Sequence, residues 1–565
     1  MFDFKKHIAD NISADIDKEM LYSSIVNTAD DNMGDYSLPC FKFAAQLRKS
    51  PVAIAQQLAE NYLTDEYIGE VKAVNGYLNF FVNRSAMLTD TVYGVLEQGE
   101  NYGNSNEGNG KTICIDYSSV NIAKSLHIGH LGTTAIGGSL YKLFAALGYK
   151  VIGINHLGDY GTQFGKMIVA YKLWGNDEVI AKEGVKALQD LYVRFHREEE
   201  EHPELTEQAR HWFARIEKGD PEAVKLFEYF KKITLDDVRQ VYDRLNVTFD
   251  SWNGESFYND KMDKPLKFLE DKGLVTVSDG AKVVDLSDYG MPPCLLVKSD
   301  GSSLYATRDI AAAFYRKEHY NFDKCLYVVA YQQNLHFRQI FKVLELAGLD
   351  WAKDLVHVAY GMVSLEEGSM STRKGNTVFL KDVLDRAVSK SLDIICTKNP
   401  DLPDKEKVAE QVGVGAVIFS ALENARIKDI TFTFDRVLNF DGETAPYLQY
   451  TYARCNSLLK KAGMSYLTRI ARNYSGLDDV ETLRLVKLLR NFPVIVSDSA
   501  YKYEPSILSK YLIDLAQAFN RFYIGHRVLG EDLSVQNARL SLVECVQLVL
   551  RKGLALLGIE APEQM

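Results

Sequence analysis

Apolar residues recur along this chain at two spacings, and the changes of spacing mark out its parts. AIAQQLAENYL, from Ala53, places its apolar residues three and four apart and predicts an amphipathic helix. VKAVNGYLNFFV, from Val71, is β-branched and aromatic and predicts strands around Asn75-Gly76. A short helix and then ENYGNSNEGNGK follow; the Gly- and Asn-rich run predicts a linker and a domain boundary. TICIDY, from Thr112, predicts a buried strand, residues 128–147 a helix closed by Gly148, and KVIGIN a second strand. Strand, helix and strand in succession predict a right-handed parallel crossover, the opening of a nucleotide-binding α/β sheet. Residues 163–250 read as a charged, mostly helical insertion. Strand signals return in AKVVDL, CLLVKS, CLYVVAY and LVHVAYGMV, and from about Asp382 onward the pattern is almost wholly helical.

These elements predict a multidomain α/β protein. It has a small α+β N-terminal domain, a Rossmann-like parallel-sheet catalytic core with a helical insertion, and an all-α C-terminal domain. The expected divisions are residues 1–107, then 108–381 with the insertion at about 170–255, a helical connecting region at 382–440, and 441–565.

Composition adds little to that picture but excludes several classes. Hydrophobic residues are 46% and charged residues 25% of 565, ordinary for a soluble protein, and no apolar run is long enough to span a bilayer. The N-terminus mixes acids with bases, so neither a secretory signal nor an organellar transit peptide is expected. Seven cysteines lie far apart with no C-x-x-C pair, which argues against a thiolate metal site and a disulfide scaffold and fits a reducing cytoplasm. No protein-held metal is expected. RFHREEEEHPE lacks H-E-x-x-H spacing and reads as a solvated helix face, and TFDRVLNFDGE lacks the full calcium-loop pattern. A net charge of −11 argues against a nucleic-acid binder only on average, because one local basic face suffices to attract phosphates.

The chemistry concentrates in YSSVNIAKSLHIGHLGTTAIGG. His127 and His130 stand three apart where a strand gives way to a helix, so both imidazoles share one face. Gly129 lets a ligand approach the backbone, and the helix N-terminus favours phosphate. Imidazole donors there can follow charge developing on a transferring phosphoryl group. An isolated H-x-G-H is more often a pair of satisfied histidines; the context here is SSVNIAK before it and NHLGDYGTQFGK after the next strand.

That long run resembles the "HIGH" signature of class I aminoacyl-tRNA synthetases in its arginyl form. GSMSTRKGNTVFLKDVL resembles the second class I signature, "KMSKS", in its arginyl variant. The resemblance implies ATP-dependent ligation of L-arginine to tRNA(Arg) through an arginyl-adenylate, with magnesium accompanying ATP, in a cytoplasmic monomer. It assigns catalytic or phosphate-contact roles to His127, His130, Lys124, Arg373 and Lys374, and ATP contacts to Gly129, His130, Met370, Ser371 and Lys374. Ser369 and Thr372 stand where the second signature usually has lysines, and Lys124 holds the position of the lysine thought to substitute in this family.

A guanidinium substrate asks for a carboxylate in fork geometry, with neutral acceptors or an aromatic face. Tyr305 and Asp309 stand four apart, and Gln333 follows an apolar strand; by resemblance all three match the guanidinium-recognition positions. Asn121, with Asp116 and Ser118, matches positions holding the α-amino and carboxylate ends. Toward the C-terminus, Thr444 to Leu477 contains no Asp or Glu and interleaves Arg454, Lys460, Lys461, Arg469 and Arg472 with tyrosines. P-Y-L-Q-Y-x-Y-A-R there resembles the start of the family's anticodon-binding domain, which makes Tyr447, Gln449, Tyr452 and Arg454 the RNA-binding candidates. The N-terminal segment resembles the family's tRNA-contacting add-on domain.

Around the first signature three residues depart from the family pattern. Val120 and Ser125 replace prolines and should loosen their loop, and Gly132 replaces an arginine of the kind used for phosphate. They motivate the alternative of a divergent paralogue with impaired charging that serves as an RNA-binding or regulatory protein. A weaker rival is a nucleotidyltransferase acting on a small molecule, against which the Tyr- and Arg-rich C-terminus argues.

Overall fold

The computed structural model describes residues 1–565 apart from 29, 30, 303, 366–377, 464–473, 475, 476, 478 and 531. It divides into two compact units. The first joins Met1–Tyr102 with Arg454–Phe492 and Asp514–Leu550, and the second comprises Gly103–Ala453, Pro493–Ile513 and Arg551–Met565.

In the first unit, a four-stranded antiparallel sheet carries Val26–Asn27, Tyr36–Pro39, Tyr77–Val82 and Ile68–Val74 in that spatial order. The Asn75-Gly76 turn has both φ values positive, the combination a two-residue hairpin of the proper twist requires. The C-terminal segments pack on this domain through specific polar contacts. Arg490 Nη1 meets Asp90 Oδ2 at 2.6 Å, and the Tyr102 hydroxyl donates to the Leu489 carbonyl at 2.8 Å.

The second unit is built on a four-stranded parallel sheet of β1 (Thr112–Asp116), β2 (Lys150–Ile154), β3 (Lys324–Tyr327) and β4 (Leu355–His357), in the order β4-β3-β1-β2. The helix α1 (Leu131–Ala146) makes the β1–β2 crossover. The chain leaves β1 for β2 on one side while β3 lies on the other, so a ligand crevice opens at the carboxyl ends of β1 and β3. Four long helices of the insertion follow β2, α2 (Gln163–Trp174), α3 (Val185–Glu201), α4 (Glu204–Glu217) and α5 (Pro221–Arg244), with a short helix at Asp177–Glu183 between the first two. Two more flank the sheet, α6 (Tyr305–Tyr320) and α7 (Asn334–Leu346). Their apolar stripes (Ile310 and Ala313; Phe337, Ile340, Val343 and Leu344) bury against Cys114, Cys325 and Tyr327 of the sheet.

Two expected strands sit elsewhere. Ala281–Val284 and Cys294–Val297 join Val275–Ser278 in a separate antiparallel sheet, because Asp279-Gly280 forms a hairpin with both φ values positive. Within the helical tail, Ile430–Phe432 is a strand, paired in parallel with Val363–Leu365. Among the described residues no helix is long and apolar enough to cross a membrane. The seven cysteines are all free, six of them buried.

Candidate active site

The strand-to-helix junction after β1 is held in an unusual backbone path. Ser118, Ser119 and Ala123 all have positive φ, a conformation that persists in non-glycine residues only where surrounding contacts over-determine it. Those contacts are present. The Ser118 N–H donates to Thr133 Oγ1 at 2.9 Å, and that hydroxyl donates on to the Val328 carbonyl at 2.7 Å, tying the start of α1 to the ends of β1 and β3. Asn121 bridges to Gly158, where a Cβ would lie 2.1 Å from Asn121 Oδ1, so only glycine fits beneath it.

His127 and His130 meet as expected, with ring centroids 4.0 Å apart. His127 Nδ1 accepts from the Gly129 N–H at 3.1 Å, and His130 Nδ1 accepts from the His127 N–H at 3.2 Å. An imidazole nitrogen that accepts carries no proton, so in the neutral rings each Nε2 is left as the donor. Burial, and then the nearby Lys124 charge, push His127 down to about 4; burial and the His127 charge push His130 down to about 3. Both rings are therefore neutral N–H donors at neutral pH.

Met370, Ser371, Arg373 and Lys374 lie outside the described residues. The chain on either side of them returns to the first signature. The Ile128 N–H donates to the Val378 carbonyl at 3.1 Å and the Leu380 N–H to the Leu126 carbonyl at 2.8 Å. Ahead of them, Val363 packs near Gly132, where an added Cβ would lie 3.8 Å from its side chain.

Next to this junction, His156 follows β2 and places Nε2 4.0 Å from Asp309 Oδ1. Asp309 Oδ2 bonds His336 Nε2 at 2.6 Å. Burial alone would raise the Asp309 carboxyl, but the His336 hydrogen bond and the His156, His336 and Arg316 charges hold it below the usual carboxylate value. Tyr305 opens α6 one turn before Asp309 and is exposed. Gln333 is exposed too, in a single 3₁₀ turn at the start of α7 rather than at the end of a strand.

The pattern of residues did not reveal Glu255, Arg308 or His336, and it gave His156 no role beyond its place in NHLGDYGTQFGK. Burial, opposed by the Arg308 charge and assisted by Asp309 and Asp159, pushes Glu255 up to about 7. It thus stands as a second, half-protonated carboxyl that feels the Asp309 charge. Just before it, Gly254 packs against Asp159, where a Cβ would lie 2.5 Å from Oδ1. Arg308 lies under the Tyr160 ring, 3.8 Å from its centroid. The short G-E-S-F-Y run held the only sequence signal, and only the fold brings it beside α6.

Four of the expected contact residues are engaged or buried within the protein. Asp116 is buried in an ion pair with Arg316 Nη2 at 2.7 Å. Ser118 Oγ is buried and bonded to Thr134 Oγ1 and the Tyr242 hydroxyl. Gln449 is fully buried, its Nε2 donating to the Gln411 and Glu560 carbonyls, and Tyr452 is 3% exposed, so neither offers a side chain to RNA. Of the other RNA candidates, Tyr447 is half-buried, and Arg454 bonds Asn520 Oδ1 at 2.7 Å and lies over the Tyr523 ring. Tyr450, passed over in the sequence reading, is exposed.

The chain matches a family model described as "tRNA synthetases class I (R), catalytic domain" over residues 91–434. It belongs to the class I arginyl-tRNA synthetase family. Two further models of the family match: "Arginyl tRNA synthetase N terminal domain" over residues 3–82 and "DALR anticodon binding domain" over 448–565. The arginine–tRNA ligase of Clostridioides difficile is 50% identical over the whole of both chains, and that of Alkaliphilus metalliredigens is 48% identical, also over the whole of both. The arginyl-tRNA synthetase structure from Thermus thermophilus superimposes with a TM-score of 0.83 at 29% identity, covering 96% of each chain. Nothing in these likenesses supports a non-charging paralogue. The departures from the family pattern also find partners in the structure. The Gly158 N–H donates to the Val120 carbonyl at 2.9 Å, Ser125 bonds Asp237, and the space over Gly132 is filled by the Tyr360 ring, 3.1 Å from where a Cβ would lie.

Proposed function

We propose that this chain is an arginine–tRNA ligase that activates L-arginine with ATP and transfers it to tRNA(Arg). The observation that carries the reading is the pairing of two environments. A pair of neutral histidine N–H donors stands at a helix start, and the same compact unit carries the Asp309 carboxylate with His156 and His336 against it.

ATP phosphates lie at the His127–Gly129–His130 helix start, with Lys124 and, from the second signature, Arg373 and Lys374 as further cations and Met370 and Ser371 beside the nucleotide. Arginine enters with its guanidinium against Asp309 and Glu255, flanked by Tyr305 and Gln333. Asn121 faces the other end of the substrate. An arginine carboxylate oxygen attacks the α-phosphorus in line and the bond to the bridging oxygen breaks, giving arginyl-adenylate and pyrophosphate. The two Nε2–H groups stabilise negative charge on the phosphoryl oxygens as it develops, worth several kcal/mol where water is excluded, about 2.7–4 kcal/mol per donor in comparable sites. A ribose hydroxyl of the tRNA terminus, the 2′ by class I resemblance, then attacks the arginyl carbonyl and AMP leaves. No covalent enzyme intermediate is required; positioning and charge stabilisation suffice.

Magnesium would come with the ATP phosphates. Among the described residues no group of three or more His, Cys, Asp or Glu is arranged to hold a metal ion, and no step is routed through one. Tyr447 and Arg454 are the RNA contacts this reading retains, and the exposed Tyr450 is added to them. The enzyme is taken to act as a cytoplasmic monomer. ATP–pyrophosphate exchange with arginine, run with and without tRNA, tests the reading. Exchange that requires arginine is expected; exchange driven equally by lysine or by no amino acid would reject it.

A further inference from the structure

We propose that the helical insertion positions Lys124, gripping the loop that carries it from two sides, with Tyr192 and Thr234 as the positioning residues. The inference rests on the reading of Lys124 as a phosphate contact. It assigns to the insertion a role that neither signature specifies.

The loop has lost the stiffness of two prolines, at Val120 and Ser125, and it carries positive φ at Ala123, immediately before the lysine. A long, rotamer-rich lysine on such a loop needs an external frame to hold its ammonium steady. The insertion supplies one. Ala123 is buried in the insertion's own apolar cluster, among Met167, Ile168, Leu188 and Phe230. Its N–H donates to Thr234 Oγ1 on α5 at 2.9 Å, and the Thr234 hydroxyl donates in turn to the Phe230 carbonyl at 2.8 Å, which fixes the acceptor lone pairs toward the loop. One helical turn along α5 on the same side, Asp237 bonds Ser125. The residue between these two anchors is Lys124.

The other side is α3. Lys124 Nζ stands 5.4 Å from the centroid of the Tyr192 ring, within cation–π range. The ring is itself fixed. His196, one turn on, meets it edge-on at 4.5 Å. His196 Nδ1 bonds Glu199 Oε1 at 2.5 Å, and Glu199 also accepts from Lys166 Nζ at 2.7 Å and from Thr206 at 3.2 Å. A run of contacts through α2, α3 and α4 therefore ends on the Tyr192 ring. The Lys124 charge is felt at both signature imidazoles, since it lowers each of them. The ammonium thus lies between the insertion and the phosphate site.

The test is a mutant cycle on the full-length protein, read by arginine-dependent ATP–pyrophosphate exchange with tRNA present: Tyr192→Phe, Tyr192→Leu, Lys124→Ala and the Lys124→Ala/Tyr192→Leu double variant. Misplacing a reacting group by an ångström can cost about 100-fold. Tyr192→Leu is therefore expected to lower kcat by about 10-fold or more with the arginine KM unmoved, while the conservative Tyr192→Phe, which keeps the π-face, restores the rate. The double variant should be no slower than Lys124→Ala alone. Wild-type kcat in Tyr192→Leu, or losses that multiply in the double variant, would overturn the inference while leaving Lys124 its role. Full activity in Lys124→Ala would overturn both. If Tyr192→Leu does not fold, Tyr192→Met carries the same comparison.

Discussion

Asp309 Oδ2 is held by His336 at 2.6 Å while Oδ1 has His156 at 4.0 Å, so the carboxylate is oriented before any substrate arrives. A charged hydrogen bond of this kind contributes about 1.5–3 kcal/mol. Asp309→Asn should therefore raise the arginine KM by roughly 10- to 100-fold, with the ATP KM almost unmoved; steady-state exchange kinetics give both values. An unchanged arginine KM would remove Asp309 from the pocket. Glu255 makes a separate prediction. Its carboxyl lies at about 7, pushed up by burial, so near neutral pH it is half protonated. A guanidinium pairs with the ionised form, so binding must displace the proton. The arginine KM should fall as pH rises from about 6 to 8, by up to about 10-fold per pH unit on the acid side. Glu255→Gln should flatten that dependence while weakening binding, and a pH profile of KM that is the same in both proteins would contradict this. His127, His130, Asp309 and Lys124 stand out in the sequence as candidates because short motifs carry them. Glu255, His336 and His156 do not, since each acts through a partner between about 30 and 150 positions away, a distance only folding closes.

At the scale of elements, periodicity located the strand, the helix and the second strand that frame the site, and Gly148, with φ +81, ends α1 as its position implied. Two things were lost. The Asp279-Gly280 hairpin signal was passed over, which left two strands unassigned to their own sheet. The strand Ile430–Phe432 was absorbed into a helical region because three residues are too few to set a period. Close helix packing in the insertion was invisible for a different reason, since it depends on an atom that glycine lacks. A Cβ at Gly165 would lie 1.8 Å from the Ala209 carbonyl oxygen, so α2 and α4 approach to backbone contact there. Gly165→Ala must push those helices apart and should cost about 1–3 kcal/mol of stability despite alanine's better helix propensity. Urea unfolding measures it, and an unchanged or higher midpoint would show that the helices separate freely.

For the whole molecule, the order of domains along the chain was legible, but the grouping of segments into compact bodies was not. Met1–Tyr102 forms one unit with segments from the far end of the chain, through pairs such as Arg490–Asp90 whose partners lie 400 positions apart. Average charge misled in the same way. A chain of net charge −11 carries a C-terminal stretch without a single acid from Thr444 to Leu477, and the average cannot register it. The central claim is a reaction, and aminoacylation tests it most directly. Purified protein, ATP and total tRNA should be supplied with each amino acid in turn, and the acid-precipitable aminoacyl-tRNA measured. The account predicts charging with arginine alone, with AMP and pyrophosphate released in step with arginyl-tRNA. Protein that binds tRNA yet charges none of it, or that charges it with another amino acid, would contradict the account.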